Sequence, residues 1–116
     1  MPVSNTGTEV MALVQQSQVD VPWCDEFEKM IKGEHFQTSK DPRLAEYKVS
    51  MMRKLQSFND ASIPSDATLA SLASRRMQVA KSMLGKLGTK VNIEPPFFVT
   101  WGCNILIGDG VYINRR

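Results

Sequence analysis

Residues 91–114 read VNIEPPFFVTWGCNILIGDGVYIN, and their spacing decides the fold. Ile93, Val99, Ile105 and Val111 stand six positions apart. Trp101, Ile107 and Ile113 form a second series with the same step. An α-helix repeats every ~3.6 residues and a strand every ~2, so neither produces this period. A left-handed parallel β-helix does: each flat side takes about one hexapeptide, and three sides close a coil. The aliphatic side chain of each hexapeptide then points inward and stacks on its equivalent in the next coil. Gly108 and Gly110 follow Ile107, where a corner needs unusual backbone angles. The same Gly108-Asp109-Gly110 run also suits a hairpin turn between two ordinary strands, and the sequence leaves both readings open.

Upstream of Val91 the apolar spacing is helical. Asp25 and Glu26 place negative charge where a helix dipole favours it, and Phe27, Met30 and Ile31 make one stripe. This predicts a first helix from about Asp25 to Lys32, stopped by Gly33. Asp41 is a cap and Pro42 fits the first helical position, where its missing N–H costs nothing. Leu44, Tyr47, Met51, Leu55 and Phe58 continue that second helix as a stripe, with Met52 beside it, to Asn59. A third helix is expected from Ser65 or Asp66, with Leu69, Leu72, Ala73, Ala80, Leu84 and Leu87 on roughly one face and Gly88 as its stop. The fold class is therefore α+β: a three-helix domain over residues 22–89, then the first one to one and a half coils of a β-helix over 90–116. Residues 1–21 are rich in Ser, Thr, Gln and Asn and read as a flexible tail, with Val10 to Val14 able to form a transient helical turn.

Composition narrows the function. The net charge of +2 on 116 residues is too small for a nucleic-acid partner, and the lysines and arginines are scattered. Arg75-Arg76 and Arg115-Arg116 read as solvated faces. A small helical DNA-binding domain would rest on the helices alone. Cys24 and Cys103 have no CxxC partner, and two cysteines with one histidine cannot supply the about four ligands of a structural zinc site. Both are expected to be reduced thiols in a cytoplasmic protein without a bound metal. No apolar run approaches the ~20 residues of a membrane span, and the start lacks a basic flank followed by an apolar run, so a secretory signal is not expected.

The block from Val91 through Ile93-Glu94-Pro95-Pro96-Phe97, Gly102, Asn104-Ile105, Ile107-Gly108 and Tyr112-Ile113-Asn114 resembles the maltose and galactoside O-acetyltransferase family. Glu28 to Gly33, Asp41-Pro42-Arg43-Leu44 and Phe58-Asn59 look like that family's N-terminal helical domain, and Pro22-Trp23-Cys24 is like the lead-in of fungal members. The resemblance implies transfer of an acetyl group from acetyl-CoA to a hydroxyl of a sugar or glycoside. It implies a homotrimer with active sites between neighbouring β-helices, and a histidine as general base on the acceptor hydroxyl.

Position by position, the resemblance carries acceptor-binding roles to five residues. Asn114 matches an asparagine that bonds the reacting hydroxyl or the developing oxyanion. Tyr112 matches an aromatic lining the same pocket. Thr100 stands where the family has a polar acceptor-binding residue, commonly Asp or Ser, and Trp101 where Tyr is usual. Thr38 falls near an acceptor-binding acid, yet is not acidic. Lys48 falls where the family has Arg, and lysine cannot copy a two-pronged contact. Plain alternatives exist: Trp101 and Tyr112 as packing residues, Thr38 as a loop residue.

The family's catalytic histidine would lie beyond Arg116, and the sole histidine, His35, is at no matching position. The CoA-binding coils would lie beyond Arg116 as well. The expectation is an acetyltransferase by descent that is inactive as the chain stands. The alternative is a non-enzymatic sugar-binding or protein-interaction module, docking through the apolar end of its last coil.

Overall fold

The computed structural model describes residues 6–115. It contains four helices, α1 (Thr6–Val14), α2 (Asp25–Ile31), α3 (Pro42–Phe58) and α4 (Leu69–Met83), followed by four short strands. The strands are β1 (Lys86–Leu87), β2 (Asn92–Ile93), β3 (Leu106–Ile107) and β4 (Tyr112–Ile113). The class is mixed α+β, as expected.

Where the caps are strong, the helices begin and end as the sequence predicts. α2 ends one residue before Lys32, and Gly33 turns the chain with φ +77°. The Asp41 carboxylate accepts the Arg43 N–H at 2.9 Å, and Pro42 opens α3. Leu44, Met51 and Phe58 are buried along α3, whereas Met52 beside the stripe is exposed.

Two helical expectations need correction. α4 starts at Leu69 because Thr68 and Ser71 cap each other reciprocally, each side chain taking the other's backbone N–H. Leu69 itself is 88% exposed and lies off the buried face. The helix also ends at Met83, so Lys86–Leu87 form β1 and Gly88 follows a strand and is not a helical stop.

The N-terminal segment is more ordered than a flexible tail. Residues 1–5 lie outside the described residues, but Thr6–Val14 are helical. Val14 is buried, and Val10, Val19 and Val21 pack on the cluster of Phe27, Leu44 and Cys103. The Gln18 N–H donates to the Gly85 carbonyl at 2.6 Å and ties the segment to the lead into β1. Burial of these valines compensates for weak local periodicity.

The strands pair in parallel, β1 with β3 and β2 with β4. β3 and β4 flank Gly108–Gly110 yet do not pair with each other, so the hairpin reading is excluded. Leu87 stands beside Ile107 and Ile93 beside Ile113. The chain thus passes itself after twenty residues, where three hexapeptides would give about eighteen. Six residues still separate Leu87 from Ile93 and Ile107 from Ile113, so the surplus pair lies between Ile93 and Ile107.

That longer stretch is pinned to the helices. The Asn59 side chain at the end of α3 both donates to the Phe97 carbonyl and accepts its N–H, each at 2.9 Å. Phe97 packs on Phe58 with ring centres 5.6 Å apart. Gly102 lies so close to the Met83 carbonyl that a Cβ would collide with it.

One core, around Phe58, Met51, Met83, Leu84 and Ile93, joins α3 and α4 to the strands. Each such large side chain contributes roughly 1.5–3 kcal/mol by leaving water. No helix among the described residues is long and apolar enough to cross a membrane.

Candidate acceptor-binding surface

Trp101 sits where α2 and α3 meet the stretch that leads into β3. Its ring stacks on Tyr47 of α3, with centres 5.4 Å apart and an 11° tilt. Phe27 of α2 meets it edge-on at 5.9 Å, and Trp23 meets Phe27 in the same manner at 5.4 Å. Such edge and offset contacts add to the area the rings bury.

Behind the stack, the Tyr47 hydroxyl accepts the Cys103 N–H at 3.1 Å. Burial, reinforced by the Cys103 thiol, pushes the Tyr47 phenol far above the ordinary tyrosine range. Burial likewise raises the Cys103 thiol. These groups stay protonated and hold the stack in place.

Lys48, the next residue of α3, extends its ammonium over the same indole, 5.7 Å from the ring centre. Its Nζ donates to the Thr38 hydroxyl at 3.4 Å. Thr38 opens a short 3-10 turn, Thr38–Lys40. The loop before that turn is held by Glu26, whose buried carboxylate accepts the Gln37 N–H at 2.8 Å and the Lys29 ammonium at 2.9 Å. The Lys29 contact, then the Gln37 bond, keep Glu26 below the ordinary carboxylate value. Lys48 thus joins Thr38 to the Trp101 face, and Thr100 is exposed beside Trp101 in sequence.

Tyr112 and Asn114 stand apart from that group, on the outer face of β2 and β4. Tyr112 donates to Glu94 Oε1 at 3.2 Å, and Glu94 Oε2 lies 3.8 Å from the Arg76 guanidinium of α4. Asn114 is exposed, and its Oδ1 accepts the Arg115 N–H at 2.8 Å. No hydrogen bond among the described residues joins the two groups. Partial burial, then the charge of Glu94, raise the Tyr112 phenol, and Arg115 opposes them.

Sequence reasoning missed Arg76 and Glu94. A charged residue two positions from Asn92 on an alternating strand was the available signal, but its partner depends on the strand register.

Two cavities of about 360 Å³ flank α3. One lies among Trp23, Glu26, Asp41 and Arg43, the other among Asp20, Tyr47, Ser50 and Lys54. Neither is lined by the five predicted residues, of which Thr100, Tyr112 and Asn114 are exposed and Thr38 and Lys48 half-buried. No three His, Cys, Asp or Glu side chains among the described residues cluster as metal ligands.

Comparison with known proteins places the chain among acetyltransferases. Residues 29–88 match the family described as the maltose acetyltransferase hexapeptide capping motif. A Saccharomyces cerevisiae protein that bears an acetyltransferase name is 33% identical over 89 residues, covering 77% of this chain and 42% of that protein. Nodulation protein L of Rhizobium leguminosarum is 34% identical over 87 residues, covering 75% of this chain and 42% of that protein. The chain therefore spans less than half the length of these relatives. No solved structure matches it.

Proposed function

Because the chain belongs to the maltose acetyltransferase family, we propose that it supplies the acceptor-binding wall of an acetyl-CoA-dependent sugar O-acetyltransferase. The acceptor is a maltose- or galactoside-type hydroxyl. The observation that carries this reading is the meeting of Thr38 and Lys48, two positions where the resemblance puts acceptor contacts, with the Lys48 ammonium over the Trp101 ring. The parallel ladders and their glycine corners support the opening of a left-handed β-helix. The exposure of Thr100, Tyr112 and Asn114 supports completion of the wall by a neighbouring copy in a homotrimer. Two free, buried cysteines suit the reducing cytoplasm.

In the reaction the acceptor oxygen attacks the thioester carbonyl, CoA leaves as the thiol, and a base takes the hydroxyl proton. The residues present here bind and orient. The Lys48 ammonium has three N–H groups and spends one on Thr38, so two remain for sugar oxygens. The Asn114 amide has its N–H groups available while its oxygen is held by Arg115. No described residue is placed as the base: His35 is exposed in the loop after α2 and enters no hydrogen bond among the described residues.

The test is maltose and galactoside binding by the protein, followed by release of thiol from acetyl-CoA in their presence. Sugar binding with no thiol above a protein-free blank is expected. Thiol release above the blank overturns the assignment of the base outside this sequence, and absence of binding overturns the acceptor wall.

A further inference from the structure

The β2·β4 ladder sets Asn92 beside Tyr112 and Ile93 beside Ile113. The Glu94 N–H donates to the Ile113 carbonyl at 2.9 Å, which continues the ladder and brings Glu94 alongside Asn114. Ile93 is fully buried, so alternation puts Asn92, Glu94, Tyr112 and Asn114 together on the outer face. Arg76 of α4 reaches Glu94 from the helical side with a side chain only 13% exposed. The Arg76 Nε and the Asn92 Oδ1 are buried there without a partner.

A phenol has one O–H and can accept as well. The Tyr112 O–H is committed to Glu94 at 3.2 Å. What Tyr112 offers outward is a lone pair. Asn114 is the opposite case, because its oxygen accepts the Arg115 N–H and no hydrogen bond among the described residues uses its amide N–H groups. We infer that Glu94, braced by Arg76, is a positioning residue that fixes Tyr112 as a hydrogen-bond acceptor, and that Tyr112 and Asn114 together select an alcohol hydroxyl. A hydroxyl donates to Tyr112 while accepting from Asn114. An ether or carbonyl oxygen cannot donate, and an ammonium cannot accept. The ligand half of this inference rests on the acceptor-wall reading above, whereas the Glu94–Tyr112 half does not.

The experiment is a spectrophotometric titration of the two tyrosines in the wild type, Glu94→Ala, Glu94→Gln and Arg76→Met. Tyr47 is buried and ionises only at the alkaline extreme, so the first phenolate step belongs to Tyr112. The charged groups acting on that step are Glu94 and Arg115, with Arg76 behind Glu94. Glu94→Ala is expected to drop it toward the ordinary tyrosine value of about 10. Glu94→Gln keeps an accepting oxygen and recovers part of the shift. Arg76→Met loosens Glu94 and broadens the step. An unchanged step in Glu94→Ala, with the fold intact by circular dichroism, overturns the positioning role.

A maltose titration followed by tryptophan fluorescence reads the second half. Several-fold weaker binding is expected in Glu94→Ala and Tyr112→Phe, with Glu94→Gln closer to wild type. Equal binding by all of them overturns the hydroxyl-selecting role. Failure of the wild type to bind maltose overturns that role together with the acceptor reading, and the phenolate titration still decides the contact.

Discussion

The Tyr47 hydroxyl accepts the backbone N–H of Cys103 at 3.1 Å across fifty-six positions of sequence, and it links α3 to the turn that precedes β3. Cys103 is fully buried, so its N–H has no water to turn to. Tyr47→Phe keeps the ring stacked on Trp101 and orphans that donor. We expect a loss of about 1–3 kcal/mol, read as a lower urea midpoint with an unchanged slope.

Lys48 links Thr38 to the indole face. Lys48→Met preserves much of the chain's apolar contact and removes every donor. Maltose affinity should fall by roughly tenfold or more, the scale of a hydrogen bond to a charged group at about 1.5–3 kcal/mol. Lys48→Arg should retain part of the affinity, because charge persists with a different donor geometry. Isothermal calorimetry measures both, and full affinity in Lys48→Met would remove Lys48 from the binding surface.

Asp41 caps α3 and pairs with Arg43 at 2.7 Å. The Arg43 side chain, then its N–H, hold the Asp41 carboxyl at about 2, against an ordinary 3.8. A depressed folded-state value means that the ionised form contributes stability above the ordinary value. That contribution is lost as the pH falls toward the depressed one. Asp41→Ala should therefore be less stable than wild type near neutrality, and the gap should close between about pH 4 and about pH 2. Thermal melts across that range check the sign.

Gly102 has no room for a side chain against the Met83 carbonyl, whereas a Cβ at Gly108 meets nothing within 4 Å. Gly102→Ala should destabilise by about 1–3 kcal/mol through forced backbone shifts. Gly108→Ala should change little. Comparing the two melting temperatures separates close approach from a general cost of replacing glycine.

The elements marked by strong local chemistry were the legible ones. Gly33, Asp41-Pro42 and Asn59 set the limits of α2 and α3 because caps and breakers act within a turn. α1 was hidden because its stability comes from docking Val10 and Val14 on Phe27 and its neighbours, which no local window registers. Ser65 and Asp66 looked like a helix start, but the reciprocal Thr68–Ser71 bonds satisfy more backbone donors three residues later. The strands were foreseen from the six-residue period, yet their partners were not. Pairing depends on a twenty-residue return that six-residue counting cannot supply. The same gap hid Glu94 and Arg76, whose role exists only once β4 lies beside β2.

The twenty-residue return also separates the side of the winding that keeps the six-residue measure from the side that exceeds it. Counting back eighteen from Ile113 lands on Pro95, and only the longer count lands on Ile93. All the slack is gathered between Ile93 and Ile107, in a span where Phe98 and Thr100 project into solvent. The remaining side of the winding keeps its six-residue measure. That span absorbs the two extra residues while the stacked aliphatics stay aligned. It also carries Trp101, so the surface beneath Lys48 is set by the same stretch that Asn59 and Met83 hold against the helices.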